Sequence, residues 1–475
     1  MDDDDPTTYL INNKLSSNKS FEENSNYNIE NNISNKIPRK TFSTKYFYKY
    51  GEIPIEESIS TFFFRPIQHG SLKSSIFCMI CVTLGTGMLP IPYLFYSNGL
   101  ILTFILYLIF AFPTNFTLQL LITISHENKL YNLPELVSKY YGFKSLLTKL
   151  TIISLLINSF GCIILWNYYI KNFSIGLLDY FKEEYATNLY GIIISLGILI
   201  FIQIPLAIYN KGNAFDIMAP IGFLQIIYVL LVLIIEFPSY LKEFYDAKIF
   251  FHIKTYFNIN IFKIMEIPFV LFTSFGNHST ILSVVEKVQS KTTKRVLKVG
   301  KYTFYGEFYI YIYLVLICFF STFSHTSDKE IFLIRPKITF LMTLGLFFMV
   351  ILMICNISLY YFTTLPTLQF IFNKGEEFSK KQNIVAAFLM LSILTIISFF
   401  ISNLGDILTF LGIFAQVSLI FIIPICLYLK IKQNEITTKN KIMYIFGISF
   451  FSILGILGFF FMIFNKNNPN NTVKS

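Results

Sequence analysis

Residues able to hold a small polar solute are concentrated in two short stretches of an otherwise apolar chain. The first is Thr83-Leu84-Gly85-Thr86-Gly87, followed at once by Pro90 and Pro92. Two glycines and two prolines weaken a helix's hydrogen-bond ladder, and in hydrocarbon each freed N–H or C=O must find another partner. Unwinding there would expose backbone N–H groups and the positive end of a half-helix, which together favour a carboxylate. Packing of small residues against a neighbouring helix is the competing account. The succession GxG then PxP favours a break. The second stretch is Phe275-Gly276-Asn277-His278-Ser279-Thr280. Its polar groups either contact substrate or cap two half-helices. His278, whose ring titrates near physiological pH in water, is also a candidate proton relay.

Other positions join these two. Glu286, beyond His278, is either a gate carboxylate or an interfacial charge beside Lys287. Thr363 and Thr364 precede Pro366, whose missing N–H frees backbone carbonyls. That is half of a cation site, or two threonines bonded to their own helix. Asn158, Trp166 and Tyr168 either line a cavity or pack inside a helix bundle.

The elements that must position these groups are membrane helices. Of 475 residues, 54% are hydrophobic and only 14% charged, well below the roughly 25% of a soluble domain. Eleven apolar runs are each close to the ~20 residues a helix needs to cross a bilayer: 74–96, 99–124, 149–171, 187–209, 217–236, 265–285, 302–324, 338–362, 384–402, 405–429 and 442–464. Residues 1–66 open on Asp2 to Asp5 and continue rich in Asn, Ser and Lys, the composition of a disordered tail. A transporter domain over 67–464 and a short tail over 465–475 complete the division. Loops after the even-numbered runs carry the larger share of Lys and Arg, which places the amino terminus in the cytosol and the carboxy terminus on the other side. The Asn172-Phe173-Ser174 sequon then falls on the non-cytosolic face. The net charge of +10 reflects this loop bias and signals no nucleic-acid partner.

Interruptions in the first and sixth runs fit a transporter plan of two five-helix units inverted relative to each other. The fold class expected is an all-α polytopic membrane protein with about eleven helices, broken in helices 1 and 6. An intramembrane enzyme would need convergent catalytic groups, and His278 is the one histidine deep in a run, with no paired carboxylates beside it. The six cysteines lie in apolar runs as small hydrophobes, and Cys78 and Cys81 have no further ligands beside them. No cofactor is expected.

The motifs resemble the amino acid/auxin permease family of the amino acid–polyamine–organocation group. Leu84-Gly85-Thr86-Gly87-Met88-Leu89-Pro90 is similar to that family's first-span motif. Phe275-Gly276-Asn277-His278 with Glu286 resembles its sixth-span pattern, with Asn277 where the family has Cys. Thr364-Leu365-Pro366 matches its Thr-x-Pro. Gly412, Pro424, Tyr428, Leu429 and Lys430 resemble a later signature. The resemblance implies a LeuT-like fold and carriage of neutral or cationic amino acids. Substrate would meet Thr83, Leu84, Gly85, Thr86, Gly87, Phe275, Gly276, Asn277 and His278, with His278, Glu286 and Thr364 as coupling or gating residues. The membrane implied is the plasma membrane or that of a vacuole or lysosome. The sodium-coupled branch carries an Asn where this chain has Cys81. A thiol is a poor ligand for a hard cation, so the expectation leans to proton coupling or uniport over sodium.

Overall fold

The computed structural model describes residues 70–209, 214–246, 256–321, 339–373, 375–401 and 404–467. The expected tail over 1–66 lies outside the described residues, as does 468–475. Every regular element among the described residues is helical. In chain order they are α1 (Leu72–Gly87), α2 (Ile91–Asn98), α3 (Leu100–Asn128), α4 (Leu133–Tyr141), α5 (Leu146–Phe181), α6 (Asn188–Ile208), α7 (Ala214–Asp246), α8 (Ile261–Ser274), α9 (Ile281–Glu286), α10 (Thr293–Ser321), α11 (Phe340–Phe372), α12 (Lys380–Phe399), α13 (Leu404–Ile431) and α14 (Thr438–Asn467). Nine of these are long and apolar enough to cross a membrane. They fall on nine of the expected runs, and the two runs left over, 74–96 and 265–285, are the interrupted pairs α1/α2 and α8/α9. The chain is an integral membrane protein. The last helix continues through Asn467, past the expected boundary at 464.

The first interruption is displaced from its expected place. Thr83 to Gly87 are helical, and the break is the turn Met88–Pro90 between α1 and α2. The prolines decide this: Pro90 and Pro92 lack the N–H groups that the carbonyls of Thr86 and Met88 would accept from in a continuous helix. Met88 still donates to the Leu84 carbonyl at 3.2 Å, so the ladder holds until the prolines end it. The second interruption lies where expected. α8 ends at Ser274, a single tight turn spans Asn277–Ser279, and α9 starts at Ile281.

Packing sorts the helices into two groups. α1, α2, α3, α8 and α10 pack on one another, while α5 packs against α6, α11 and α12. Trp166 on α5 stands edge-on to Tyr360 on α11, with ring centroids 4.6 Å apart. α14 lies at the periphery, where Phe451 stacks on Phe421 of α13 and Ile442, Phe446, Phe450 and Phe460 stay exposed, as befits a lipid-facing helix. The two groups meet at the interruptions.

α5 runs past the expected end at 171 and carries the sequon inside it. The Asn172 amide donates to the Tyr168 carbonyl at 3.1 Å, one turn back. A helical, half-buried asparagine is a poor glycan acceptor, so this sequon reports nothing about sidedness. The loop between Glu286 and Lys301 is the better reporter. An acceptor sequon engineered there is expected to stay unmodified on expression in a glycosylating host, and a glycan-sized mass shift would reverse the orientation assigned from loop charge.

Candidate functional site

The two interruptions are joined by a residue of α10. Glu307 is fully buried. Its carboxylate accepts from the Thr83 hydroxyl on α1. It also accepts from the Asn277 amide of the second break, at 2.9 Å and 3.0 Å to its two oxygens. One turn along the same face, as i and i+4 positions must be, Tyr311 is equally buried. Its hydroxyl approaches the Ser274 carbonyl at 2.9 Å and the Thr83 carbonyl at 3.3 Å. The Ser274 carbonyl sits where the α8 ladder runs out and needs a donor. Glu307 and Tyr311 together therefore tie α1 to the second break. Glu307 was not among the residues singled out from sequence. The signal available was a single carboxylate inside the run 302–324, since intramembrane ionisable groups are costly and usually functional.

The glycines of the first motif serve close approach. A Cβ on Gly87 would fall on the Tyr311 hydroxyl and lie 2.7 Å from the Ser274 Cβ. A Cβ on Gly85 would meet the Asn356 amide, with the Trp166 indole nitrogen 3.1 Å away. Asn356, on α11, donates to the Cys81 carbonyl at 3.3 Å. Trp166 Nε1 is buried and has no hydrogen-bond partner. A donor facing Gly85 from the opposite helix group is what a solute carboxylate or carbonyl would need. Leu84 is fully buried, and the Thr86 side chain lies outside the described residues.

At the second break, Gly276 leaves room for the Gln416 side chain of α13. Gln416 donates to Asn158 Oδ1 at 2.7 Å, and Asn158 in turn donates to the Ser279 hydroxyl at 2.9 Å. Asn158 therefore ties α5 to the break and is one of the three third-run candidates with a polar role. Tyr168 packs edge-on to Tyr169. Phe275 is enclosed by Tyr107, Phe304 and Tyr311, with centroids 5.5, 5.6 and 5.2 Å away, so it anchors the break in an aromatic cluster. His278 is fully buried and turned toward α3, its Nε2 3.2 Å from the Thr117 hydroxyl, while its Nδ1 has no partner. Thr364 donates to the Tyr360 carbonyl of its own helix at 2.6 Å.

Glu286 is exposed, at the rim of a cavity of about 250 Å³. The cavity is lined by Lys129–Glu135, by Ser279 and Ser283, and by Thr363 and Thr367, so it runs from a loop face to the second break. Burial and then the Glu286 charge hold the phenol of Tyr131, across the rim, above its usual range. At the opposite end of the first interrupted run, the end of α2 is held by Asn258. Asn258 donates its backbone N–H to the Asn98 carbonyl at 3.0 Å and its side chain to the Ser97 carbonyl at 2.8 Å.

The model of the family described as transmembrane amino acid transporter protein matches residues 68–465. The sodium-coupled neutral amino acid symporter 2 of Danio rerio is 22% identical over 422 residues, covering 82% of this chain and 80% of that one. Among solved structures, MhsT in complex with L-phenylalanine is similar with a TM-score of 0.57 at 12% identity, over 84% of this chain and 100% of that one. That likeness concerns the fold, which is LeuT-like with helices 1 and 6 broken. With the family's model spanning both interruptions and every helix around them, the chain belongs to the transmembrane amino acid transporter family.

Proposed function

We propose that the protein is a secondary carrier that moves amino acids by alternating access, coupled to protons or working as a uniporter. The observation carrying this reading is the asymmetric exposure of one polar centre. A cavity leads to the second break from the Lys129–Glu135 face, while on the other side Asn258 ties down the end of α2. Rocking one helix group against the other would open the centre to that side in turn. The groups are joined at the breaks by few polar contacts, Asn158 to Ser279 and Asn356 to the Cys81 carbonyl. By loop charge the cavity faces the cytosol. A substrate carboxylate would bind beside Gly85, where the Trp166 indole N–H is available. Glu286 at the rim is a gating carboxylate in this reading.

Sodium coupling is the second reading, favoured by the name of the zebrafish relative. Against it, Cys81 offers a thiol, and its carbonyl already accepts from the Asn356 amide. Purified protein in proteoliposomes, given each radiolabelled amino acid with imposed pH or sodium gradients, separates the cases. Saturable uptake accelerated by substrate on the far side is expected, with accumulation following the pH gradient or none. Accumulation that follows sodium alone would overturn the coupling assignment, and absence of flux for all twenty would overturn the carrier reading.

A further inference from the structure

We propose that Glu307 is the group that takes up and releases the coupling proton, and that both interrupted helices read its state directly. The inference rests on the proton-coupled reading above. Its support is geometric. Glu307 is sealed from water and forms no ion pair among the described residues, its partners being the Thr83 hydroxyl and the Asn277 amide. An ionised carboxylate in such a place is costly unless hydrogen-bonded, and here the bonds suit either state. When ionised, the group accepts from both partners. When protonated, it has one O–H to donate, and Thr83 is able to receive it. The Thr83 hydroxyl has an alternative acceptor, the Met79 carbonyl at 2.9 Å. Turning the Thr83 proton to Met79 lets the Glu307 proton occupy the same line in reverse, while Asn277 keeps donating to the other oxygen at 3.0 Å.

The balance is simple. One O–H bond forms on the carboxylate as a proton leaves water on one side, and that bond breaks as the proton returns to water on the other. The titratable groups around Glu307 are few. Tyr107 of α3 and Tyr311 of its own helix face it, and their phenols ordinarily ionise far above physiological pH. From the second break the nearest is His278, which turns its Nε2 to Thr117. From α1 the group facing it is Thr83, which does not titrate in this range. A change of charge at Glu307 weakens or strengthens its hold on α1 and on the second break at once, which is what coupling a proton to the substrate site requires.

The test uses purified full-length protein in proteoliposomes, with a radiolabelled mixture of the twenty amino acids as probe and the membrane potential clamped. Wild type is expected to accumulate label several-fold when an inward-directed pH gradient is imposed. Glu307→Gln keeps the shape and an acceptor but cannot titrate. It is expected to lose all gradient-driven accumulation, a larger loss than its loss of exchange. Thr83→Val, which leaves the carboxylate in place, should move the pH midpoint of uptake, a readout that a merely structural contact would not shift. His278→Gln should lower flux yet keep its response to the gradient. If Glu307→Gln accumulates as wild type does, if the Thr83→Val midpoint is unchanged, or if only His278→Gln loses the response, the assignment to Glu307 is overturned. If wild type itself ignores the pH gradient, the proton-coupled reading falls, and the inference with it.

Discussion

Gly87→Val is expected to abolish uptake and to lower the thermal stability of the purified carrier, for one steric reason. A Cβ at residue 87 would land on the Tyr311 hydroxyl and lie 2.7 Å from the Ser274 Cβ and 2.9 Å from the Tyr311 Cζ. None of these neighbours can retreat cheaply, since Tyr311 is fully buried and its hydroxyl serves carbonyls of both interrupted helices. Adding even one methyl to a packed core costs about 1–3 kcal/mol, and valine adds branched carbons to that. The sequence alone pointed instead to unwound backbone at Gly85 and Gly87, open to a carboxylate. The structure moves the clash to a packed interface, so stability should fall together with transport. A double-mutant comparison isolates the cause. Tyr311→Phe removes the nearest atom, and Gly87→Ala in that background should lose less stability than Gly87→Ala alone. Wild-type uptake and melting temperature in Gly87→Val would sink the account, because no rearrangement that small could house two extra methyl groups.

How much of this was legible beforehand depended on whether a signal was local. Prolines act on their own backbone, so Pro90 and Pro92 announced an interruption in the first run. The glycines misled by a few residues, because Gly85 and Gly87 tolerate a helix and are there for Asn356, Trp166 and Tyr311 to approach. The second break was readable at its true place. A glycine followed by Asn, His, Ser and Thr within an apolar run has no helical purpose, and the turn falls on Asn277–Ser279. What could not be read was direction. His278 was visibly deep, but only the fold shows it turned to Thr117 and away from the carboxylate that unites the breaks. Glu307 was visible as one acid among tyrosines and phenylalanines, yet its partners lie 224 and 30 positions away in the chain. Long-range pairing of that kind leaves no mark on periodicity or spacing. The Glu286 carboxylate, by contrast, matched a motif and proved to be exposed at a rim.

The pairing of Asn277 with Glu307 can be tested independently of any coupling ion, by replacing the amide with a second acid. Asn277→Asp would set two carboxylates about as close as the amide and acid are now, near 3 Å. Two like charges at roughly 3 Å repel by roughly 5 kcal/mol even at an effective dielectric constant of about 20, a penalty worth more than about a thousandfold in an equilibrium. Such a pair cannot stay doubly ionised and must hold a proton between its members. The sign follows: alkaline media strip that proton and force the charges together, while acidic media supply it. Uptake by Asn277→Asp is therefore expected to persist in part near neutral pH, to be lost as the medium is made alkaline and to rise as it is made acidic. The exchanged pair Asn277→Asp with Glu307→Gln has one amide and one carboxylate again, in swapped places, and should recover uptake in alkaline media beyond the Asp variant alone. Should Asn277→Asp transport like wild type across the whole pH range, or the swap do no better than the single variant, the two side chains cannot face each other during the transport cycle. Recovery by the swap would show the reverse. Substrate would then be handled by two broken helices held at a fixed spacing through one carboxylate on a third.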